Sequence, residues 1–525
     1  MKALRSVTLI SILAGTGGCM EVGSVDEEGQ PDSNDLDEIV ARHGDDHNRL
    51  PNNVPVFNGS GVFTTVSSHG FIDLNNEFFQ DLGTNGRRCG SCHVPTSGWT
   101  ITPRQLQTVF DATDGGVFDD GFGLSAVFRT VDGSNSPNAD VSTLAKRRQA
   151  YSMLLKRGVI RIGLPIPANA EFELIAVDDP YHFASANQLS LFRRPLPTTD
   201  LKFLSTVMFD GRETVPGQAI NLDLATQSSD ATVTHAQGQP LTQAQRDSIV
   251  QFETALATTQ IIDRKAGNLH AAGAKGGPDE IFKQEFHIGI NDNFGDPVTG
   301  KPFSPIIFTI YDRWLNIGDR RDHDSRGHGR DDDHGRDGHG HDCDDDHGRS
   351  RDHDCDDDDD GNINAARRAI ARGQALFNRK PINISGVSGI NDEAVFGKPA
   401  NVVGTCGTCH DTPNAGDHSV VAPLNIGLAD ASRRTPDMPL YTLRNKTTHE
   451  IIKTTDPGRA LIDGKWSHIG RFKGPILRDL SARAPYFHNG FAADFDAVID
   501  FYEDRFHIGF TKQERSDIIA FLRAL

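Results

Sequence analysis

The sequence predicts a mainly α protein of two related helical domains, the first elaborated with long loops and short strands, joined by a disordered acidic insert. Three observations predict it. The stretch LTQAQRDSIVQFETAL (241–256) aligns without gaps with FTKQERSDIIAFLRAL (510–525). Each half carries one C-x-x-C-H segment, Cys89 to His93 and Cys406 to His410. Between the halves, residues 319–360 hold eighteen Asp against seven Arg and no aliphatic side chain, a composition that cannot bury a core.

A chain of 525 residues has room for two or three domains. Its first nineteen residues read as an export signal. Lys2 and Arg5 give the positive start, and Val7 to Ala14 an apolar core too short to span a bilayer. Thr16-Gly17-Gly18-Cys19 then allows two outcomes: a lipoprotein cleavage box, with Cys19 lipidated and the protein attached to a membrane, or plain secretion with an incidental Cys. Either predicts a periplasmic or extracellular protein. Residues 20–50 hold ten acids against Arg42 and Arg49 and read as a solvated acidic tether. Tether and insert together account for most of the net charge of −19, so the folded body is near neutral. It has no concentrated basic face, and nucleic acid is not an expected partner. The body divides into an N-terminal part, 51–318, and a C-terminal part, 361–525.

The repeated stretch has the marks of an amphipathic helix. Thr242 with Gln245, and Thr511 with Glu514, are capping boxes at a helix start. Ile249, Phe252 and Leu256 recur as Ile518, Phe521 and Leu525, an apolar stripe of helical period. A further helix is predicted before each cysteine pair, over NNEFFQDLG (75–83) and AARRAIARGQALFN (365–378). The segment 100–200 is richer in Gly, Pro, Asp and alternating apolar residues, and is expected to add the loops and short strands.

Seven cysteines in an exported chain of this length do not make a disulfide scaffold. The two C-x-x-C-H segments have another chemistry. Two thiols three residues apart on one turn can add to the two vinyl groups of a haem, and the following His then reaches the iron from the same side. Zinc would need four ligands in a closed set, and a thioredoxin-like pair needs no His. The expected cofactors are therefore two covalently bound haem c groups, held by Cys89 and Cys92 and by Cys406 and Cys409. His93 and His410 are the expected iron ligands, and the two domains are expected to be cytochrome c-like.

The other face of each iron decides between a closed electron carrier and an open catalytic centre. For the first haem, Met208, Met153, His69 and His182 are candidates. For the second they are His488, His418, Met438 and His468. Met208 and His488 are preferred because each lies well past its C-x-x-C-H in a Gly-bounded turn, Met208-Phe209-Asp210-Gly211 and Phe487-His488-Asn489-Gly490. In the insert, seven His offer weak divalent-cation ligands and Cys343 with Cys355 a disulfide. A solvated spacer needs neither.

These turns also carry a resemblance. FKGPILRDLSARAPYFHNG (472–490) and MFDGRETVPGQA (208–219) resemble two segments of the bacterial dihaem cytochrome c peroxidase superfamily, which includes the methylamine-utilisation dihaem enzymes. The resemblance implies that the N-terminal haem activates peroxide and the C-terminal haem relays electrons from a donor. A Trp between the haems and a Gln and a Glu beside the open iron complete that family's site. Gln218 matches the Gln and is the implied catalytic residue. Phe209 stands where the Trp would be, and His468 where a Met would precede the F-K-x-P segment. No residue matches the Glu, for which Asp223, Asp230 and His235 are nearby substitutes. Trp99 offers either an interhaem relay or simple packing. The implied function is an exported oxidoreductase that reduces peroxide or activates oxygen, fed by a small redox protein or a quinol-linked donor. The alternatives are a non-catalytic electron-transfer cytochrome and a dihaem oxygenase acting on an organic substrate.

Overall fold

The computed structural model describes residues 36–45, 47–118, 123–131, 134–318 and 356–525. The expected export signal with Cys19, and the part of the insert that holds Cys343 and Cys355, lie outside the described residues. Of the stretch read as a tether, the described part forms the helix Leu36–His43 and the strand Arg49–Pro51. Ile39 and Leu50 bury there against Phe78 and Phe252.

The expectation of a mainly α chain of two cytochrome c-like helical domains does not hold. The fold is mixed α/β, 33% helical with 16% in strands. The strands form several small antiparallel sheets. Gly61–Ser67 lies at the centre of the first, between Val56–Asn58 and Leu256–Asp263, and all seven of its residues are buried. β-branched and aromatic residues suit such a strand (Val62, Phe63, Thr64, Thr65, Val66) because they fill the pleated surface between neighbours. Another sheet joins the two halves of the chain. Phe172–Asp178 pairs with Leu440–Asn445, which pairs in turn with Ile451–Thr454.

The repeated helices form as the sequence predicts. Gln243–Thr254 and Lys512–Arg523 both begin with the reciprocal Thr and Gln or Glu capping box. The helix before the second cysteine pair is Asp356–Arg379. Its counterpart in the first half is only the single 3-10 turn Glu77–Phe79, held by the Asn76 side chain accepting from the Phe78 amide. That turn places Phe78 and Phe79 against Phe252, with ring centroids 5.2 and 5.4 Å away.

The core of the second unit draws on chain from both sides of the insert. Ile307, Phe308, Tyr311 and Trp314 pack there with Ile370, Phe377, Ile518 and Phe521. Two helices cross closely in it, Asp356–Arg379 and Lys512–Arg523. Gly373 sits at the crossing, where a Cβ would stand 2.0 Å from the Asp517 carbonyl oxygen. That neighbour is backbone and cannot rotate away. Gly373→Ala is therefore expected to lower stability by about 1–3 kcal/mol, the cost of overpacking a filled core. A midpoint of denaturant unfolding equal to or above that of the unsubstituted protein would refute the crossing geometry.

Candidate functional site

Both C-x-x-C-H segments fold into the same local device. Cys89–Ser91 and Cys406–Thr408 are 3-10 turns. In each, a hydroxyl at the third position accepts from the amide three residues before it: Ser91 from Arg88 and Thr408 from Thr405, both at 3.0 Å. The His amide then donates to the carbonyl of the first Cys, at 3.0 Å for His93 and 3.1 Å for His410. Each imidazole presents Nδ1 to a main-chain carbonyl six residues on: His93 to Trp99 at 3.3 Å, and His410 to Gly416 at 2.5 Å. A proton on Nδ1 leaves the Nε2 lone pair free for a metal, the arrangement that orients metal-ligating His. Burial pushes His93 down to about 4 and lowers His410 as well, so both rings are neutral at pH 7. A Phe ring stands 6.2 Å from each imidazole, Phe78 in one unit and Phe377 in the other. None of these four cysteines is in a disulfide among the described residues, and burial pushes the thiols of Cys89, Cys406 and Cys409 up to about 12.

Each device opens onto a large apolar cavity. The first has an empty volume of about 1540 Å³ counted to its mouth, and the second about 1510 Å³. Cys89, Cys92 and His93 are on the wall of the first, and Cys406, Cys409 and His410 on that of the second. Three residues face both: Phe209, Lys473 and Pro475. The Lys473 amide donates to the Phe209 carbonyl at 2.8 Å, and its ammonium to the Thr206 carbonyl at 2.7 Å. The cavities differ in polarity. Gln227, His235, Glu253, Arg193, Arg194 and Arg212 reach the first wall, whereas the second is almost wholly aliphatic and aromatic apart from His410, His488 and Lys473.

Both residues preferred as distal ligands reach a cavity wall. Met208 is on the first wall and His488 on the second. Met208 has φ 65° and Phe487, beside His488, φ 67°, so each turn passes through the left-handed region at the cavity edge. His488 is 1% exposed, and neither ring nitrogen has a hydrogen-bond partner among the described residues. Its ring stacks on Phe472 with centroids 3.9 Å apart, and burial pushes it down to about 4. A neutral imidazole with a spare lone pair in an apolar cavity fits an iron ligand. Together with the cysteines and the proximal His, it fits a covalent haem.

The remaining candidates fall elsewhere. Met153 and Met438 pack together in a small core with Val159 and Phe192. His69 and His182 are exposed. His418 and His468 are tied through Nδ1 to Asp411 at 3.0 Å and Asp463 at 2.7 Å, away from both cavities. Gln218 is not on the first wall. Its side-chain amide donates to Asp223 at 2.7 Å, just before the helix Ile220–Thr234. Of Asp223, Asp230 and His235, only His235 reaches the wall. Trp99 is fully buried, donates from its indole to Thr65 at 3.0 Å and faces neither cavity. Phe209, in the place of the family Trp, faces both. Sequence reasoning missed Gln227 and Glu253, and Glu253 had a signal, since it occupies the place of Leu522 in the repeat.

A buried ion triad fixes both distal turns. Arg193 holds Asp456 in a two-pronged pair, Nε at 2.8 Å and Nη2 at 2.9 Å, and holds Asp210 through Nη1 at 2.5 Å. All three side chains are at most 2% exposed. Burial alone would raise the Asp210 carboxyl, but the Arg193 and Arg212 guanidiniums outweigh it and hold it at about 2. Asp210 belongs to the Met208 turn. An Asp456 carboxylate oxygen stands 4.0 Å from His488 Nε2.

Comparison with known proteins finds partial relatives. The chain is 27% identical over 186 residues to a cytochrome-c peroxidase, IdrP1, of Pseudomonas sp. (strain SCT), a match covering 32% of this chain and 42% of that protein. It is 29% identical over 132 residues to the cytochrome-c peroxidase IdrP2 of Denitromonas iodatirespirans, covering 23% of this chain and 36% of the relative. A cytochrome-c peroxidase IdrP1 of the same organism is 30% identical over 140 residues, again over 36% of its length. The matches thus span less than half of each relative. No family model and no solved structure matches. These partial similarities support a cytochrome c peroxidase-like family and a haem c cofactor.

Proposed function

We propose that this chain is an exported dihaem c-type cytochrome that works as a peroxidase-type oxidoreductase, with peroxide reduced in the first cavity and electrons relayed through the second. The observation that carries this reading is the pair of C-x-x-C-H devices, each with Nδ1 of its His on a carbonyl and each opening onto one of two cavities that share a wall. Bound at each device by its two cysteines and its His, haem would supply one-electron redox chemistry at an iron. The chain's own residues divide the labour. On the first wall the His235 imidazole can hold or move a proton beside a bound peroxide, and the Gln227 amide can hydrogen-bond to it. The apolar second wall excludes water, and Phe209 with Pro475 bridges the gap between cavities. The electron donor in this reading is a small redox protein or a quinol-linked carrier, and the protein works in the periplasm or outside the cell, with lipidation of Cys19 as its membrane attachment. Among the described residues no helix is long and apolar enough to cross a membrane.

One observation favours a second reading, a closed electron carrier: Met208 and His488 each stand on a cavity wall, and both irons would be capped if both side chains bind. Optical and paramagnetic-resonance spectra of the oxidised and half-reduced protein separate the two. A high-spin centre that reacts with peroxide supports the enzyme. Two low-spin centres in every redox state, without peroxide turnover, leave only the carrier. In the same experiment, His488→Ala is expected to shift the bands of one haem and Met208→Leu those of the other. If neither variant moves any band, the distal assignments are wrong.

A further inference from the structure

The two cavities are built on one plan, and they differ at one telling position. The closing helix of each unit lays two residues, one turn apart, on its cavity wall: Ile249 and Glu253 in the first, Ile518 and Leu522 in the second. The gap-free alignment of 241–256 with 510–525 puts Glu253 opposite Leu522. An acid thus stands where the repeat demands an aliphatic side chain. It is 3% exposed, and its Oε1 has no hydrogen-bond partner among the described residues. No ion pair involving it is found among the described residues. A buried, unpaired carboxylate is costly, and so is a buried carboxylic acid without a full set of partners. Leucine would fill the space without either cost, as it does in the second unit. Perturbed acids of this kind cluster at functional sites.

We infer that Glu253 couples a proton to the redox state of the first haem, so that this haem's potential falls as pH rises while the second haem's does not. The inference rests on the haem reading above. Glu253 takes up one proton when the adjoining iron accepts one electron from a one-electron donor, and releases it when that electron leaves. The physical cause is Coulombic. Reduction removes one positive charge from the neighbourhood, so the carboxylate form becomes less favourable and proton affinity rises. Burial already pushes Glu253 up to about 8, inside the range where a small change in local charge switches its state. Glu253 is the one acid on its cavity wall, and the other charged and titratable groups there are bases and cysteines. Cys89 and Cys92 cease to titrate once they are thioethers, and His93 is committed to the iron. Arg87 is bonded to the Ala126, His235 and Val131 carbonyls. Arg88, Arg193, Arg194, Arg212, His235 and Lys473 complete the charged and titratable groups of that wall, Arg193 and Arg212 being paired with Asp210 and Lys473 also facing the second cavity. Leu522 leaves the second cavity without a counterpart.

The test is a spectroelectrochemical titration of the full-length holoprotein at several pH values on either side of neutrality, with haem content per chain measured first by mass. The protein as it stands should show one potential that falls with pH, by at most about 59 mV per tenfold change in proton concentration, the one-electron limit. The other potential should be flat. Glu253→Leu, which copies the second unit, and Glu253→Gln, which keeps the shape, should each flatten the sloping potential and leave the other in place. The Gln variant guards against a Leu variant that does not fold. A slope that persists in either variant, or two flat potentials in the unsubstituted protein, overturns the role of Glu253. A protein that carries no haem overturns the underlying reading instead, and the mass measurement tells these failures apart.

Discussion

Arg193→Met is expected to destabilise the protein by about 3–5 kcal/mol at neutral pH, the range found when one partner of a buried ion pair is removed. The cost comes less from the lost attraction than from what remains. Asp210 and Asp456 would stay buried at 2% exposure or less without the guanidinium that satisfies them. The pH dependence has a definite sign. In the unsubstituted protein Asp210 is held at about 2, below the ordinary ~3.9 of a free Asp. A carboxyl depressed on folding contributes stability that is present above its unfolded pKa and is lost as pH falls through the folded one. The deficit of the variant should therefore be full at pH values above about 4 and shrink as pH falls from there towards about 2. Denaturant unfolding at two pH values reads it. The variant should also disturb both distal turns, because Asp210 anchors Met208 and Asp456 lies beside His488. A loss below about 1 kcal/mol, the range of an exposed pair, would mean that the triad holds neither turn.

That triad also shows what was legible in the sequence and what was not. The capping boxes at Thr242 and Thr511 could be read directly, because a cap is a local bond between residues three apart. The C-x-x-C-H turns and the placement of Met208 and His488 in Gly-bounded turns were local in the same way. Arg193, Asp210 and Asp456 were not legible, since the pair that matters spans 263 positions of chain. The strands misled for a similar reason. Phe172–Asp178 finds its partner in Leu440–Asn445, and a pairing between distant segments leaves no periodic trace that links them. NNEFFQDLG reads as a helix by composition, yet only Glu77–Phe79 turns, because Phe78 and Phe79 gain more by packing on Phe252 than by extending a short isolated helix. Gln218 failed as a cavity residue because a matched motif fixes chain position and not the direction of a side chain. Asp223 captures its amide before it can face the cavity. Glu253 stands in the sequence as the acid aligned with Leu522 of the repeat, but its meaning needed Leu522 placed at the same point of a second cavity.

Replacing one cysteine pair at a time should have the largest effect on composition and activity. Under the proposed reading, Cys89→Ala with Cys92→Ala removes the covalent haem of the first cavity, and Cys406→Ala with Cys409→Ala that of the second. Each double variant is expected to lose the mass of one haem and about half of the visible absorbance, since the two devices are built alike. The consequences then diverge. Without the first haem, the remaining centre should still be reducible by an electron donor but should not react with peroxide. Without the second, the polar cavity keeps its reactive centre but has no relay, so turnover with a protein donor should fall to background while a small chemical reductant restores part of it. Stability should change too. Protein interiors are close-packed, and an apolar cavity lined by Phe78, Ile249, Leu204 and Val207 is costly to leave empty. The unit without its haem should therefore melt below the other and show two transitions in place of one. If either double variant retains the full absorbance, or if the unsubstituted protein is colourless, the devices at His93 and His410 bind something other than haem.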